Sequence, residues 1–261
     1  MKRVLTIAGS DSGGGAGIQA DLKAITVLGG FGTSVLTALT AQNTLGVQGV
    51  HPVPVAFIEL QLHSVLSDIG ADGAKTGMLA TAAIVEAVAS AMERYRVPGL
   101  VVDPVMVATS GDVLLDPDAI DTVRTRLLPL AELTTPNLHE AALLASHPVD
   151  DLASMEAAAR AIHALGARRV LIKGGHLGGE AVDLLFDGSE VRTYSAPRLD
   201  SRNTHGTGCT LSAALATLLA QGHPAHEAVA LAKRFITVAI AHGVDVGGGA
   251  GPTNPYAWLE R

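Results

Sequence analysis

Residues 203–219 read NTHGTGCTLSAALATLL and join two kinds of sequence. The first half is small and polar and carries Gly206 and Gly208, whereas the second half is an Ala/Leu run with strong helix propensity. A glycine turn that opens a helix directs backbone N–H groups and the positive end of the helix dipole to one point, which predicts an anion site. Cys209 lies at its mouth, where a thiol is expected to ionise more readily than in a helix body. The alternative is a glycine turn before a buried helix, with Cys209 as a small core residue.

A similar order of strand, glycine turn and helix is predicted at the N-terminus. Residues 4–8 read as a buried strand, residues 9–17 (GSDSGGGAG) as a loop and residues 18–28 as a helix. The G-x-G-x-x-G spacing of dinucleotide-binding proteins is out of register here, and the acidic residue expected about 20 positions later is missing, so we do not expect a dinucleotide site. Asp11 is the one charged residue of the loop, and it is either a ligand contact or a turn-forming Asp.

Short apolar runs alternate with helix-like segments along the rest of the chain. Strands are predicted at 33–40, 71–77, 100–106 and 169–176, a short strand passing into a helix at 133–140, and further helices at 54–69, 81–95, 117–128, 151–165 and 225–241. This alternation predicts an α/β fold with three α-β-α layers around a mostly parallel sheet. Residues 182–186 and 191–196 flank Asp187-Gly188, a type I′ turn signal, and predict an antiparallel hairpin at the sheet edge. The chain shows no long linker or internal repeat, so residues 1–261 are predicted to form a single domain.

Charge and cysteine content limit the classes of function. The net charge of −7 argues against a nucleic-acid or anionic-membrane binder. A single cysteine permits no internal disulfide, which favours a reducing, cytoplasmic location. The N-terminal apolar run is too short for a signal-peptide core, and the sequence contains no apolar window long enough for a transmembrane helix.

Candidate binding residues follow the predicted strands at their carboxyl ends, the edge at which open α/β sheets bind ligands. Gln42 carries an amide that suits the edge of a heteroaromatic ring, or else it is a loop residue in solvent. Asp103 closes an apolar strand, where we favour a functional carboxylate. Lys173 emerges from another strand and either binds a phosphate or extends to solvent. Asn137 and Glu140 form either a helix cap or a site for a hydrated magnesium ion.

One rim of the sheet would therefore carry a lysine, carboxylates, an anion site and a thiol. This set matches phosphoryl transfer, which requires charge neutralisation, a metal ion and a proton acceptor for the attacking hydroxyl. The sequence contains no Walker A motif, so the chemistry is not expected to be that of a P-loop NTPase.

The chain resembles the ribokinase-like superfamily and, within it, the hydroxymethylpyrimidine/phosphomethylpyrimidine kinases of thiamine biosynthesis. The matching segments run in order from residue 6 to residue 216: TIAGSDSGGGAGIQADLK, TALTAQNTLGVQ, AKTGML, VVDPVM, TPNLHEA, LIKGGH and NTHGTGCTLSAALA. The Gly-Thr-Gly-Cys sequence marks a subgroup, since most sugar-kinase relatives carry Asp at the position of Cys209. The resemblance implies a ribokinase-like fold, use of ATP and Mg²⁺, and a homodimer.

The resemblance also implies a role for each matching residue. It makes Cys209 the base that acts on the substrate hydroxyl, with the anion hole formed by Gly206, Thr207, Gly208 and Cys209. Lys173 is implied to contact the ATP phosphates, and the other nucleotide-binding positions are Asn137, Glu140, Thr204, Gly206 and Gly208. Asp103 and Glu140 are implied to hold the metal. The pyrimidine pocket is implied to be lined by Gly9, Asp11, Gln42, Met78, Val105 and Cys209.

The implied reaction has two steps. ATP phosphorylates the hydroxymethyl group of 4-amino-5-hydroxymethyl-2-methylpyrimidine, and a second phosphoryl transfer converts the monophosphate to the diphosphate. Pyridoxal kinase activity is the nearest alternative, because related enzymes phosphorylate a similar ring. A non-catalytic nucleotide-binding module and a dinucleotide oxidoreductase are further alternatives.

Overall fold

The computed structural model describes residues 1–107, 114–175 and 180–260. Within these residues one sheet contains nine strands: β1 Arg3–Asp11, β2 Phe31–Asn43, β3 Gly46–Pro52, β4 Gly73–Thr76, β5 Leu100–Val102, β6 Leu133–Thr134, β7 Val170–Ile172, β8 Ala181–Phe186 and β9 Val191–Ala196. Their order is β3-β2-β1-β4-β5-β6-β7-β8-β9. Neighbouring strands from β2 to β7 pair in parallel, and the β8–β9 hairpin is antiparallel. The predicted mostly parallel sheet with an antiparallel edge hairpin is confirmed.

Helices cover both faces of the sheet. They are α1 Gly17–Val27, α2 Val55–Asp68, α3 Ala82–Tyr95, α4 Ala119–Thr122, α5 Leu138–Ala145, α6 Leu152–Ala164, α7 Thr207–Ala220 and α8 Ala225–Ala241. Buried residues of α1, α7 and α8 form one apolar core with the sheet, and those of α2 to α6 form the other. The predicted α-β-α layering is therefore confirmed. In the part of the chain that the structure describes, no helix has the length and apolar character to cross a bilayer.

Alternation along the strands explains the two cores. Val4 and Val101 face the layer of α1 and α7, whereas their neighbours Leu5 and Val102 face the opposite layer. Successive strand residues point to opposite faces of a sheet, so a strand buried on both faces must be apolar throughout. The polar side chains inside these strands, such as those of Thr6, Lys75 and Thr134, are themselves buried.

The edge at β2 differs from the prediction. β2 continues to Asn43, and Gln42 pairs with Val47 of the antiparallel strand β3 instead of lying beyond the strand end. The sheet therefore has antiparallel pairs at both edges. The β3 sequence GVQGVHP contains two glycines and no long apolar alternation, so its strand propensity is weak and pairing with β2 determines its conformation.

Two further local predictions are wrong. The β8–β9 turn spans residues 187–190, and its positive φ is confined to Gly188, so it is not a two-residue type I′ turn. Asp187 Oδ1 instead accepts the N–H groups of Ser189 and Glu190 at 3.0 and 2.8 Å, which closes the longer loop. The helix expected over 117–128 is broken, because α4 passes into a π-helical turn and then a 3₁₀ turn containing Pro129, which lacks an N–H donor.

Candidate active site

A cavity of about 830 Å³ opens at the carboxyl ends of the parallel strands. Every residue predicted for the site lines it: Gly9, Asp11, Gln42, Met78, Asp103, Val105, Asn137, Glu140, Lys173, Thr204, Gly206, Thr207, Gly208 and Cys209. The topology explains this convergence, because parallel strands end at the same edge of the sheet. His176, the last residue of the LIKGGH segment, lies outside the described residues.

The glycine turn before α7 has the geometry of an anion site. Gly206 is the N-cap with φ +78°, and a Cβ at this position would collide with the carbonyl oxygen of Gly15. The Thr207 N–H donates to the Thr204 carbonyl at 3.2 Å. The following amides, of Gly208 and Cys209, have no acceptor within the helix, so they are available to an anion.

Lys173 lies beside this turn and carries a carboxylate partner. Its Nζ donates to Asp103 Oδ1 at 2.8 Å, and a Cβ added to Gly208 would lie 3.4 Å from the same nitrogen. The predicted anion site and the predicted lysine therefore meet. Burial opposes the charged form of Lys173, but Asp103 and Glu140 hold its pKa above the usual range.

Asp103 is held from three sides. Its Oδ1 accepts the hydroxyl of Thr135 at 3.0 Å as well as Lys173, and its Oδ2 accepts the Ser212 hydroxyl at 3.2 Å. Burial works against this carboxylate, but Lys173 and Lys75 hold its pKa below the usual range. Asp103 is therefore an anion fixed at the strand edge.

Asn137 and Glu140 form a capping box at the start of α5. Asn137 Oδ1 accepts the Glu140 N–H at 2.9 Å, and Glu140 Oε2 accepts the Asn137 N–H at 2.8 Å. Pro136 precedes this cap instead of occupying the first helical turn, because the backbone of Asn137 is still extended. Burial raises the pKa of Glu140 to about 7.

Asp103 and Glu140 fit a magnesium ion whose other ligands are water and phosphate oxygens. Both carboxylates line the cavity, but most of their oxygens already accept protein hydrogen bonds. No group of three His, Cys, Asp or Glu side chains within the described ranges could enclose a metal ion. Magnesium commonly binds through one or two carboxylates together with water and phosphate oxygens, which is compatible with this sparse donor set.

Cys209 lies in the first turn of α7 and lines the cavity. Burial raises the pKa of the thiol to about 11. The expectation of a readily ionised thiol is therefore wrong. The helix N-terminus favours the thiolate, and loss of water around the sulfur outweighs that effect.

Gly9, Met78 and Gln42 line another part of the cavity. A Cβ on Gly9 would lie 3.2 Å from Met78 Sδ, a tight contact that would require the Met78 side chain to shift slightly. Gln42 accepts the Thr40 hydroxyl at 3.2 Å, and its Nε2 lies 3.3 Å from His205 Nε2. A flat ring could be bound between apolar walls here while an amide contacts its edge.

Asp11 organises the glycine loop that borders this part of the cavity. Its two carboxylate oxygens accept the N–H groups of Gly13, Gly15 and Ala16 at 2.8–2.9 Å, and His205 Nε2 lies 2.9 Å from Oδ2. Burial opposes this carboxylate, but His205 and the amides hold its pKa below the usual range. The geometry corresponds to the turn-forming alternative, with the oxygens directed to the loop.

Several polar residues in or near the site were not found from the sequence. They are Asp21, Lys75, Thr135, Asp183, His205, Ser212 and Lys233. Of these, only Asp183, His205 and Lys233 line the cavity. Lys75 carried a usable signal, since a lysine in an apolar strand needs a partner by the argument applied to Lys173. Lys233 interrupts the apolar face of α8 and is paired with Asp183 at 2.7 Å. The partners could not be found because they are distant in the chain.

The chain matches the family model described as phosphomethylpyrimidine kinase over residues 11–254. It is 56% identical to the thiamine biosynthesis bifunctional protein ThiED of Geobacter sulfurreducens, in an alignment that covers 96% of this chain and 51% of that protein. It is 54% identical to the hydroxymethylpyrimidine/phosphomethylpyrimidine kinase of Streptomyces coelicolor, with 98% of this chain and 94% of that protein covered. The chain thus spans about half of the bifunctional relative and nearly all of the second.

The structure is also similar to a solved kinase. It superposes on the ADP complex of Bacillus subtilis pyridoxal kinase with a TM-score of 0.93 and 40% sequence identity, over 100% of both chains. At this identity the likeness confirms the predicted fold class.

Proposed function

The chain belongs to the phosphomethylpyrimidine kinase family, and on that premise we propose that it is an ATP-dependent phosphotransferase of thiamine biosynthesis. It phosphorylates the hydroxymethyl group of 4-amino-5-hydroxymethyl-2-methylpyrimidine and then converts the monophosphate to the diphosphate. One observation carries the proposal. The same cavity is lined by the anion turn, Lys173 and Cys209 and by Gly9, Met78 and Gln42.

In this proposal the phosphate end of the cavity binds ATP. The amides of Gly208 and Cys209 bind oxygens of the transferred phosphoryl group, and Lys173 neutralises part of their charge. Thr204, Asn137 and Glu140 border the nucleotide. Asp103 and Glu140 would hold Mg²⁺, which supplies further neutralisation of the phosphate oxygens.

Cys209 is the proton acceptor for the first transfer. Its thiol must first release a proton to solvent, because a pKa of about 11 leaves it protonated at neutral pH. The thiolate then takes the proton of the substrate hydroxyl while that oxygen bonds to the γ-phosphorus and the bond to ADP breaks. Cys209 ends as a thiol, and the products are the pyrimidine monophosphate and ADP.

The ring end of the cavity selects the acceptor. Gly9, Met78 and Val105 provide the apolar walls, and Gln42 contacts the polar edge of the ring. Asp11 acts through the loop that it organises. These residues would place the exocyclic hydroxymethyl group towards Cys209.

Incubation of the protein with ATP, Mg²⁺ and the hydroxymethylpyrimidine, followed by mass analysis, tests the proposal. We expect ADP together with the monophosphate and then the diphosphate. Accumulation of the monophosphate alone would remove the second activity. Absence of any phosphorylated pyrimidine would reject the proposal.

Pyridoxal phosphorylation is a second candidate, favoured by the similarity to the Bacillus subtilis pyridoxal kinase. A coupled ADP assay with the two acceptors in parallel separates them through kcat/KM. ADP release that requires an acceptor would also exclude a non-catalytic nucleotide-binding module.

The family resemblance further supports a homodimer in the cytoplasm. Sedimentation velocity at micromolar concentration tests the assembly, with a monomer at all concentrations as the contrary result. A thiol that must stay reduced to act as a base suits a reducing compartment.

A further inference from the structure

A buried ion pair lies below the anion turn. Lys75 of β4 donates to both carboxylate oxygens of Asp21 of α1 at 2.9 Å, and both side chains are completely buried. The Thr6 hydroxyl donates to Asp21 Oδ2 at 2.6 Å. Burial opposes the charged form of Lys75, but Asp21 raises its pKa above the usual range, so the lysine is a cation.

This ion pair lies on a face of the sheet that is otherwise mainly apolar. Lys75 lies between Thr6 of β1 and Val101 of β5 in register, on the face of the sheet that packs against α1 and α7. Apart from Thr6, the neighbouring positions on this face are the apolar core residues Val4, Val101 and Leu133. Replacing a buried ion pair by apolar residues is often neutral or stabilising, so stability alone is a weak reason for it.

The lysine is directed towards the cavity. A Cβ added to Gly77 would lie 2.8 Å from Lys75 Nζ and 3.0 Å from the Cβ of Ala8, which lines the cavity. The side chain therefore extends along β4 towards its carboxyl end. Gly77 leaves the space that the ammonium group occupies.

The same region holds the base of the proposed reaction. Helix α7 packs against α1, the helix of Asp21, and against β4, the strand of Lys75. A Cβ on Gly73, at the start of β4, would lie 2.9 Å from Ala220 Cβ at the end of α7, whereas Ser212 hydrogen-bonds Asp103 just beyond β5, so the first turn of α7 lies towards the carboxyl ends of the strands. The first turn of α7 thus lies over the ion pair.

Four charged groups influence the sulfur from the elements around it. Lys75 is the cation that most lowers the thiol pKa, whereas Asp21 and Asp103 raise it. Lys173, beyond β7, also interacts with the thiolate. Burial remains the largest influence and raises the thiol pKa.

We propose that Lys75 and Asp21 form a positioning pair. Lys75 supplies a buried positive charge beneath Cys209, and Asp21 partly neutralises that charge. This inference rests on the proposed function, in which Cys209 accepts the substrate proton. The two residues act through the sulfur and contact neither the pyrimidine nor ATP. Their effects on the thiolate should have opposite signs, which a purely structural role does not require.

The alkylation rate of Cys209 by iodoacetamide, followed by intact mass from pH 6 to pH 11, tests this. Cys209 is the one cysteine of the chain, so each adduct reports its thiolate. Lys75→Met should move the profile to higher pH and slow alkylation at pH 8 by about tenfold, equivalent to one pKa unit. Asp21→Asn should move it to lower pH and speed alkylation. Lys75→Arg should keep the wild-type profile.

A second ion pair, at the start of β1 and β4, provides a matched control. Arg3 of β1 and Asp72, which precedes β4, pair at 2.9 Å at the opposite end of the sheet. Arg3→Met and Asp72→Asn should leave the alkylation profile unchanged. Thermal melts of all variants show which are folded, and Asp21→Asn with Lys75→Arg remains decisive if Lys75→Met does not fold.

Unchanged alkylation profiles in folded Lys75→Met and Asp21→Asn proteins would overturn the inference, as would shifts in the same direction. If only Asp21→Asn folds, an unchanged alkylation profile or a profile moved to higher pH would also overturn the inference. The alkylation measurement needs no substrate, so it is independent of the proposed function. Full activity of Cys209→Ala would instead reject Cys209 as the base while leaving the electrostatic result intact.

Discussion

Among single residues, Cys209 has the environment that most constrains the chemistry. Burial raises the pKa of its thiol to about 11 and keeps it protonated at neutral pH, although the charge of Lys75 acts in the opposite direction. The base must therefore be formed during the catalytic cycle. Its effect on the two phosphorylation steps is expected to differ.

Cys209→Ala should lower kcat of the first phosphorylation on the order of 100-fold or more, since proton abstraction is lost. The second step should suffer less, because the attacking group is a phosphate oxygen that needs no base. Rapid-quench assays that start from the hydroxymethylpyrimidine or from its monophosphate measure each step. Equal losses in both steps would indicate that Cys209 serves the anion hole instead of the proton transfer.

Lys173→Ala should raise KM for ATP and lower kcat, because the phosphate charge loses its nearest ammonium group. The substitution also leaves the buried Asp103 without its cation, which should destabilise the fold. The double variant Lys173→Ala/Asp103→Asn is expected to recover stability but not activity. Unchanged steady-state constants for Lys173→Ala would remove its assigned role.

Glu140 predicts a pH dependence of stability. Its folded pKa of about 7 is raised above that of an exposed Glu, so the folded state binds the proton more tightly than the unfolded state. The stabilisation of the fold by protonated Glu140 is complete below the pKa of Glu140 in the unfolded chain, and it is lost as the pH rises through about 7. Glu140→Gln keeps a capping side chain, so its melting temperature relative to wild type should increase from pH 5 to pH 8. A constant difference would show that Glu140 is an ordinary carboxylate.

At the scale of elements, the start of α5 has a structural role that does not depend on the proposed magnesium site. Asn137 and Glu140 were compatible with a cap or with a magnesium site, and the reciprocal hydrogen bonds are those of a cap. Asn137→Ala should therefore lower the free energy of unfolding by about 1 kcal/mol, and Asn137→Asp should restore it. Urea denaturation measures both. Stability that is insensitive to Asn137→Ala would show that the cap contributes nothing to the fold.

Strands and helices were predictable where local patterns agreed with the packing. The run 100–102 is apolar and buried on both faces, so it could only be a central strand. β3 was missed because its conformation depends on β2 and not on its own residues. Lys75 was missed for a related reason, since its partner Asp21 lies on a helix more than fifty positions earlier. Lys173 was found because it stands at a strand end, where the topology makes charges functional.

At the scale of the whole molecule, one cavity has a phosphate end and a ring end. This arrangement predicts two separable ligand effects on thermal stability. A ligand at 100 times its Kd adds about 2.7 kcal/mol, or roughly 5–10 °C for a chain of this size. Lys173→Ala should lose the shift caused by ATP and keep that of the pyrimidine, whereas Gln42→Ala should do the reverse. Loss of both shifts in either variant would indicate that the two ends are not independent.

The contact between Gly206 and Gly15 restricts which substitutions this protein can tolerate. The turn that would bind the phosphoryl group rests directly against the loop that borders the acceptor, backbone on backbone, although nearly two hundred residues separate them in the chain. Neither segment can be redesigned by itself, since a single added methyl group would force both apart. New acceptor preferences are therefore more accessible through the ring walls than through the glycines, and a library that leaves both turns intact should contain more active members.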